Sequence, residues 1–182
     1  MRSLRWTLAT AGGFALGGAA LHGPGASAVG ASYLDWDVPA AVFGAMLGSI
    51  VGVVTGLLQL VALGLRSWRL VAASVVAVAV AHTLADGAPA AWGVGVAAAI
   101  SGLCAAAALA WALRVPGWRW VIASAFAWWA GWSLGVAIAG GLGLSGGTTP
   151  DKWVTEHVVI AGILALAWGS ATSPGARRLL GG

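Results

Sequence analysis

Three histidines and a glutamate are the side chains in this sequence best able to do chemistry: His22, His82, Glu156 and His157. Imidazole ligates zinc and haem iron and titrates near neutrality, and a neighbouring carboxylate adds charge for a divalent ion or a proton relay. All four fall within about a turn of the end of an apolar stretch. When the chain is threaded back and forth, those ends lie on one side, so the four would share a depth. Ionisable groups at such a depth are candidate ligand or proton sites. The opposing reading is that a histidine or glutamate near the headgroups simply meets interfacial water. The spacing matches no metal signature, so the pattern specifies no metal. Trp128, Trp129 and Trp132 form a second candidate, an apolar wall for a carotenoid, quinone or other isoprenoid, with large rings filling glycine notches as the plainer alternative. No cofactor is predicted outright, and haem, chlorophyll, carotenoid or quinone all remain compatible with these residues.

Little else in the sequence offers chemistry. Cys104 is the single cysteine, which removes an internal disulfide, a paired-thiol redox motif and a cysteine-based zinc site. There is no His-Glu-x-x-His pair and no phosphate-binding Walker loop.

The elements that must carry these residues are apolar. Of 182 residues, 60% are hydrophobic and 8% charged, against about 25% charged in soluble domains. Hydrophobic runs fall at about 4–22, 39–65, 68–85, 89–113, 118–140 and 150–169. Crossing about 30 Å of hydrocarbon takes roughly 20 helical residues. A lipid-exposed span must satisfy its own backbone amides, and runs of this length without alternation do so as helices. The expected class is therefore all-α: an integral membrane bundle of six transmembrane helices in one domain.

Charge sets the orientation. Arg2, Arg5, Arg66, Arg69, Arg114, Arg119, Arg177 and Arg178 all lie on one side of that threading. Asp35, Asp37, Asp86, Asp151 and Glu156 lie on the other, with Lys152 the one cation among them. Arginine-rich ends stay cytoplasmic, so both termini are expected there, in a cell membrane of bacterial cytoplasmic type. Nine cations spread in ones and twos read as topology, and nucleic acid is not an expected partner. Arg2 and Arg5, the apolar stretch from Trp6 to Leu21 and Ala26-Ser27-Ala28 also resemble a signal peptide. Retention is the expected outcome, because the repeat described next uses this segment as its first helix.

The chain repeats itself. Trp68-Arg69-Leu70-Val71-Ala72-Ala73-Ser74 returns fifty residues later as Trp118-Arg119-Trp120-Val121-Ile122-Ala123-Ser124. Pro39-Ala40-Ala41 and Gly52 return at the same offset as Pro89-Ala90-Ala91 and Gly102, a register that sets Trp132 opposite His82. A fainter copy shows in Arg5-Trp6 and Pro150-Asp151-Lys152-Trp153. The unit is a helix pair, so the three copies are parallel repeats about an axis along the membrane normal.

Small residues mark where the helices should meet. Gly44, Gly48, Gly52 and Gly56 recur every four residues, as do Gly13 and Gly17, Gly131 and Gly135, and Ala161, Ala165 and Gly169. Such stripes let backbones approach closely in lipid. Gln59 extends the second helix's stripe and is expected to bond across an interface. Trp6, Trp68, Trp111, Trp118, Trp120 and Trp168 are expected at the cytoplasmic headgroup level, and Trp36, Trp92 and Trp153 at the other.

The run Gly56-Leu57-Leu58-Gln59-Leu60, leading to Leu65-Arg66 and then Trp68, resembles a loose group of bacterial polytopic membrane proteins. In that group a Gly-Leu-x-Gln-Trp helix ending in Leu-Arg alternates with a Trp-started, glycine-spaced helix. Here Leu60 stands where the pattern has Trp, and the second copy lacks the glutamine. The resemblance implies the helix-pair plan and no activity. The threefold plan is also similar to mitochondrial carriers, but their signatures are missing and the chain is too short. The leading expectation is a non-enzymatic structural or accessory subunit, with membrane lipids and other membrane subunits as partners. A small transporter or channel with an outward-facing His/Glu site is the alternative. A pigment, quinone or haem holder is the third reading.

Overall fold

The apolar runs do form helices, since nothing but an i to i−4 ladder satisfies so many consecutive amides without a partner strand. The computed structural model describes residues 2–22, 40–64, 67–87, 93–115, 117–144 and 150–179, and among these every element is helical. In chain order they are α1 (Arg2–His22), α2 (Ala40–Leu63), α3 (Trp68–Gly87), α4 (Gly93–Leu113), α5 (Trp118–Gly141) and α6 (Pro150–Leu179). Three of them, α2, α4 and α5, contain stretches long and apolar enough to cross a membrane, while α3 and α6 carry shorter apolar stretches.

The helix ends follow local rules. Gly64 closes α2 in the left-handed region at φ 65°, and Gly143 does the same after α5 at φ 68°. Beyond α5 the Leu144 amide donates to the Ala139 carbonyl at 3.0 Å and the Gly143 amide to that of Gly140 at 3.0 Å, the double closure of a glycine C-cap. Fifty residues after Gly64 the same left-handed position is taken by Arg114 at φ 49°, where a Cβ costs about 1–2 kcal/mol.

α6 corrects the expected boundary at residue 169. It continues through Pro174 to Leu179. Proline at 174 supplies no amide for the Ser170 carbonyl. The Ser173 hydroxyl donates to that oxygen instead, at 2.9 Å. Gly169, the last residue of the expected run, is a packing residue as its place in the Ala161, Ala165 and Gly169 stripe implies: a Cβ there would lie 3.2 Å from Thr7 Cα.

Each helix packs on its neighbours in the chain, and α6 returns to α1, so the six close into a ring with a lesser contact of α4 on α6. Bare backbone sets most of the spacing. On α2, a Cβ at Gly48, Gly52 or Gly56 would lie 2.5–2.6 Å from the backbone of α3 at Val78, Val75 and Val71. Gly13 and Gly17 of α1 meet Thr55 and Val51, Gly102 of α4 meets Ala125, and Gly131 and Gly135 of α5 meet Leu164 and Ile160 of α6. Gly44 is buried.

A methyl group at Gly52 would sit 2.5 Å from Val75 Cα, with no flexible atom to give way. Gly52→Ala should therefore lower stability by about 1–3 kcal/mol. Gly162→Ala, with nothing within 4 Å of its Cβ, should not. Thermal melts of the two variants in detergent, monitored by loss of the monodisperse peak, check the contrast.

Candidate functional site

The centre of the ring is where helix packing and polar groups meet. Trp6, Thr10 and Phe14 of α1 are buried there, with Thr55 and Gln59 of α2, Ser74 and Val78 of α3, and Trp128 of α5. The Trp128 ring stands edge-on to Trp168 at 4.9 Å between centroids and to Phe14 at 6.0 Å. Aromatic rings from three helices thus fill the middle.

Hydrogen bonds run through this interior from helix to helix. The Ser74 hydroxyl donates to Gln59 Oε1 at 3.0 Å, and Gln59 Nε2 donates to Thr10 Oγ1 at 2.9 Å. Thr10 donates to the carbonyl of Trp6 at 2.9 Å, and the Trp6 indole donates to Thr172 Oγ1 at 2.9 Å. Thr172 donates to the Trp168 carbonyl at 2.8 Å. One chain of polar contacts therefore joins α6, α1, α2 and α3. Separately, the Trp128 indole donates to Ser101 Oγ at 3.0 Å, and Ser101 to the Ala98 carbonyl at 3.0 Å, tying α5 to α4.

The polar positions recur in register with the packing residues. Gln59 lies three residues after Gly56, and Ser74 three after the Val71 that Gly56 meets. Fifty residues on, the pair becomes Leu109 and Ser124, both buried. Leucine offers no acceptor, and Ser124 Oγ is buried without a partner, as are the indole nitrogens of Trp120 and Trp168. Thr172 and Thr10 stand in the same relation to Gly169 and Thr7.

Of the predicted chemical residues, only His82 and Glu156 have described side chains. His82 is half-buried near the end of α3, with Nδ1 at 3.1 Å from the Val78 carbonyl, a contact in which the ring nitrogen is the donor. Glu156 is half-buried on α6. The side chains of His22 and His157 lie outside the described residues, as do those of Trp36, Trp92 and Trp153. Among the described residues no three His, Cys, Asp or Glu side chains gather as a metal site would require.

The tryptophans divide differently from expectation. Trp128 is fully buried and Trp132 partly so, whereas Trp129 is 38% exposed beside Phe126 at 5.6 Å. Trp129 stands about 100° round the helix from Trp128, which carries it from the core to the exposed side. Trp68, Trp111 and Trp118 are exposed, at 69%, 50% and 72%. Trp6 and Trp168 are core residues instead. Both stand on the faces by which α1 and α6 close the ring, where burial and, for Trp6, the Thr172 hydroxyl outweigh the headgroup preference.

Sequence reading found Gln59 but missed its partners Thr10 and Ser74, and Thr172, which joins the same chain of bonds through Trp6. The signal was present: each of Arg5, Arg69 and Arg119 is followed five residues later by a hydroxyl residue, Thr10, Ser74 or Ser124. The run Gly143-Leu144-Ser145-Gly146-Gly147 fits the letters of a serine nucleophile elbow. That motif joins a strand to a helix, whereas this run follows the helix α5. No family model, curated protein or solved structure matches the chain.

Gln59→Leu should remove two interhelical bonds and strand Ser74, lowering stability by about 1–2 kcal/mol. Leu109→Gln should supply Ser124 with the acceptor that Ser74 enjoys and raise stability by about 1 kcal/mol. Thermal midpoints of both variants and of the wild type in one detergent check the opposite signs.

Proposed function

We propose that the chain is a six-span protein of a bacterial cytoplasmic membrane, made of three parallel helix pairs with both termini on the cytoplasmic side. It serves as a structural or accessory component of a membrane assembly and not as an enzyme. The observation that carries this reading is how the described residues fill the middle of the ring. Phe14, Trp128 and Trp168 occupy the middle by ring contact, and Gln59, Thr10, Ser74 and Thr172 spend their polar atoms on neighbouring helices. A transport path needs polar groups left facing a cavity, and these face one another.

Three observations support the repeat. Gly52 meets Val75 and Gly102 meets Ala125, both partners displaced by fifty residues. Gly64 and Arg114, at the same offset, both end their helices in the left-handed region. Gly169 meets Thr7 Cα as Gly56 meets Val71 Cα, which supports α6 and α1 as the third pair, split across the chain ends. The outward faces suit lipid or partner subunits: Leu8, Leu57, Phe126, Leu134 and Leu166 are all at least half exposed.

The direct test is gentle detergent extraction followed by mass spectrometry of co-purifying chains and an absorption spectrum. The expected result is a colourless protein recovered with other membrane subunits in fixed proportion. A stoichiometric chromophore or metal, or a stable lone monomer, overturns the reading. In a Cys104→Ala background, membrane-impermeant maleimide applied to intact cells should label Leu144→Cys and spare Ser67→Cys. The reverse pattern overturns the orientation.

A further inference from the structure

An open groove of about 510 Å³ runs along the outside of the α1/α2 pair, with Arg5 at one end and Leu8, Gly12 and Leu16 of α1 facing Leu58 and Val61 of α2. We infer that this groove holds one acyl chain of an anionic phospholipid, its phosphate on the Arg5 guanidinium. The inference rests on the proposed orientation, which sets Arg5 at the cytoplasmic headgroup level.

The groove has a specific cause. Gly13 and Gly17 press onto Thr55 and Val51, yet Gly12 beside them has nothing within 4 Å of where a Cβ would stand. A side chain there would fill the groove, and glycine leaves it open.

The neighbouring pair shows what belongs in such a corner. Arg5-Trp6 leading to Thr10 aligns with Arg69-Leu70 leading to Ser74, and Val61 aligns with Trp111 at the fifty-residue offset. Between α3 and α4 the Arg69 guanidinium lies 5.6 Å from the centre of the Trp111 ring, which Trp68 flanks edge-on at 5.9 Å. That corner is closed by an apolar body beneath a cation. In the α1/α2 corner Val61 is 80% exposed and the cation stands over open apolar surface.

Length selects the occupant. From Arg5 to Leu16 is eleven residues, about 16 Å of helix rise, which is about half of the roughly 30 Å hydrocarbon thickness. A partner's transmembrane helix would need a contact continuing across both leaflets. A lipid chain hanging from a headgroup occupies one leaflet, and an anionic headgroup meets the arginine that ends the groove.

The test uses the full-length protein reconstituted in vesicles of equal parts phosphatidylglycerol and phosphatidylcholine, re-extracted mildly and weighed intact by native mass spectrometry. Wild type is expected to retain one phosphatidylglycerol per chain. Gly12→Leu, which fills open space, and Val61→Trp, which copies the α3/α4 corner, should each lower that occupancy about tenfold or more. Arg5→Gln should keep a lipid but lose the preference for phosphatidylglycerol by about fivefold. Arg119→Gln, at the equivalent position on α5, should change neither. Unaltered thermal midpoints show that the variants fold. Equal lipid retention by wild type, Gly12→Leu and Val61→Trp overturns the inference, as does a wild-type dimer that Gly12→Leu converts to monomer. Maleimide labelling of Ser67→Cys and Leu144→Cys reads orientation independently, so loss of the lipid with labelling unchanged separates this inference from the reading beneath it.

Discussion

Helices that meet in hydrocarbon gain almost nothing by hiding apolar surface from one another, because lipid tails are as apolar as leucine. What remains is close van der Waals contact and the hydrogen bond, and both need backbones near each other. The rest of this structure depends on that requirement. Glycine supplies the approach at five of the six ring interfaces: Gly13 and Gly17, Gly48 to Gly56, Gly102, Gly131 and Gly135, and Gly169 each lie against a neighbour's main chain. On α3 and α4 the buried positions include small alanines, Ala77 and Ala81 on one helix and Ala98 and Ala105 on the other. Large side chains are then displaced from the interfaces toward the centre, where Trp128 and Phe14 meet edge to face, or outward, where the leucines lie.

Close approach also explains the polar interior. A glutamine reaches a serine and a threonine on two different helices only because Gly56 and Gly13 bring α2 to both neighbours. The arrangement is unequal around the ring. The α6–α1–α2–α3 arc is joined by linked hydrogen bonds, whereas the α5/α6 wall holds Trp120, Ser124 and Trp168 with buried donors and no acceptor. Each such donor costs about 1–3 kcal/mol, and the replacement of glutamine by Leu109 accounts for the serine. The α5/α6 contact is correspondingly held by glycine packing and the Trp128–Trp168 ring pair.

Much of the architecture is legible in the chain itself. Helix positions were legible because apolar runs in lipid have few alternatives, and the Gly48–Gly56 stripe and Gln59 marked a contact face on α2 without naming the helix that meets it. The boundary of α6 failed because the helix runs on past Gly169, whose purpose is the α1 contact, and through Pro174, where Ser173 donates to the carbonyl that the proline leaves without an amide. Trp6 and Trp168 misled for a related reason, since an indole near a helix end prefers the headgroups until a facing helix offers a hydroxyl or a ring. The candidate histidine site was legible as residue types alone. Convergence is a property of three helices at once, and only His82 and Glu156 have described side chains.

Ring closure by the two ends of the chain is the claim on which the polar interior rests, since α1 contributes both Thr10 and Trp6. A Cβ at Gly169 would lie 3.6 Å from Thr10 Cβ, within the separation of about 3.5–4.5 Å that a disulfide spans. Thr10→Cys combined with Gly169→Cys, in a Cys104→Ala background, is therefore the most direct measurement. Oxidation in native membranes should give an intramolecular cross-link, seen as a reducible mobility shift of the monomer. A pair that stays reduced, or that cross-links only between chains, would contradict the closed ring.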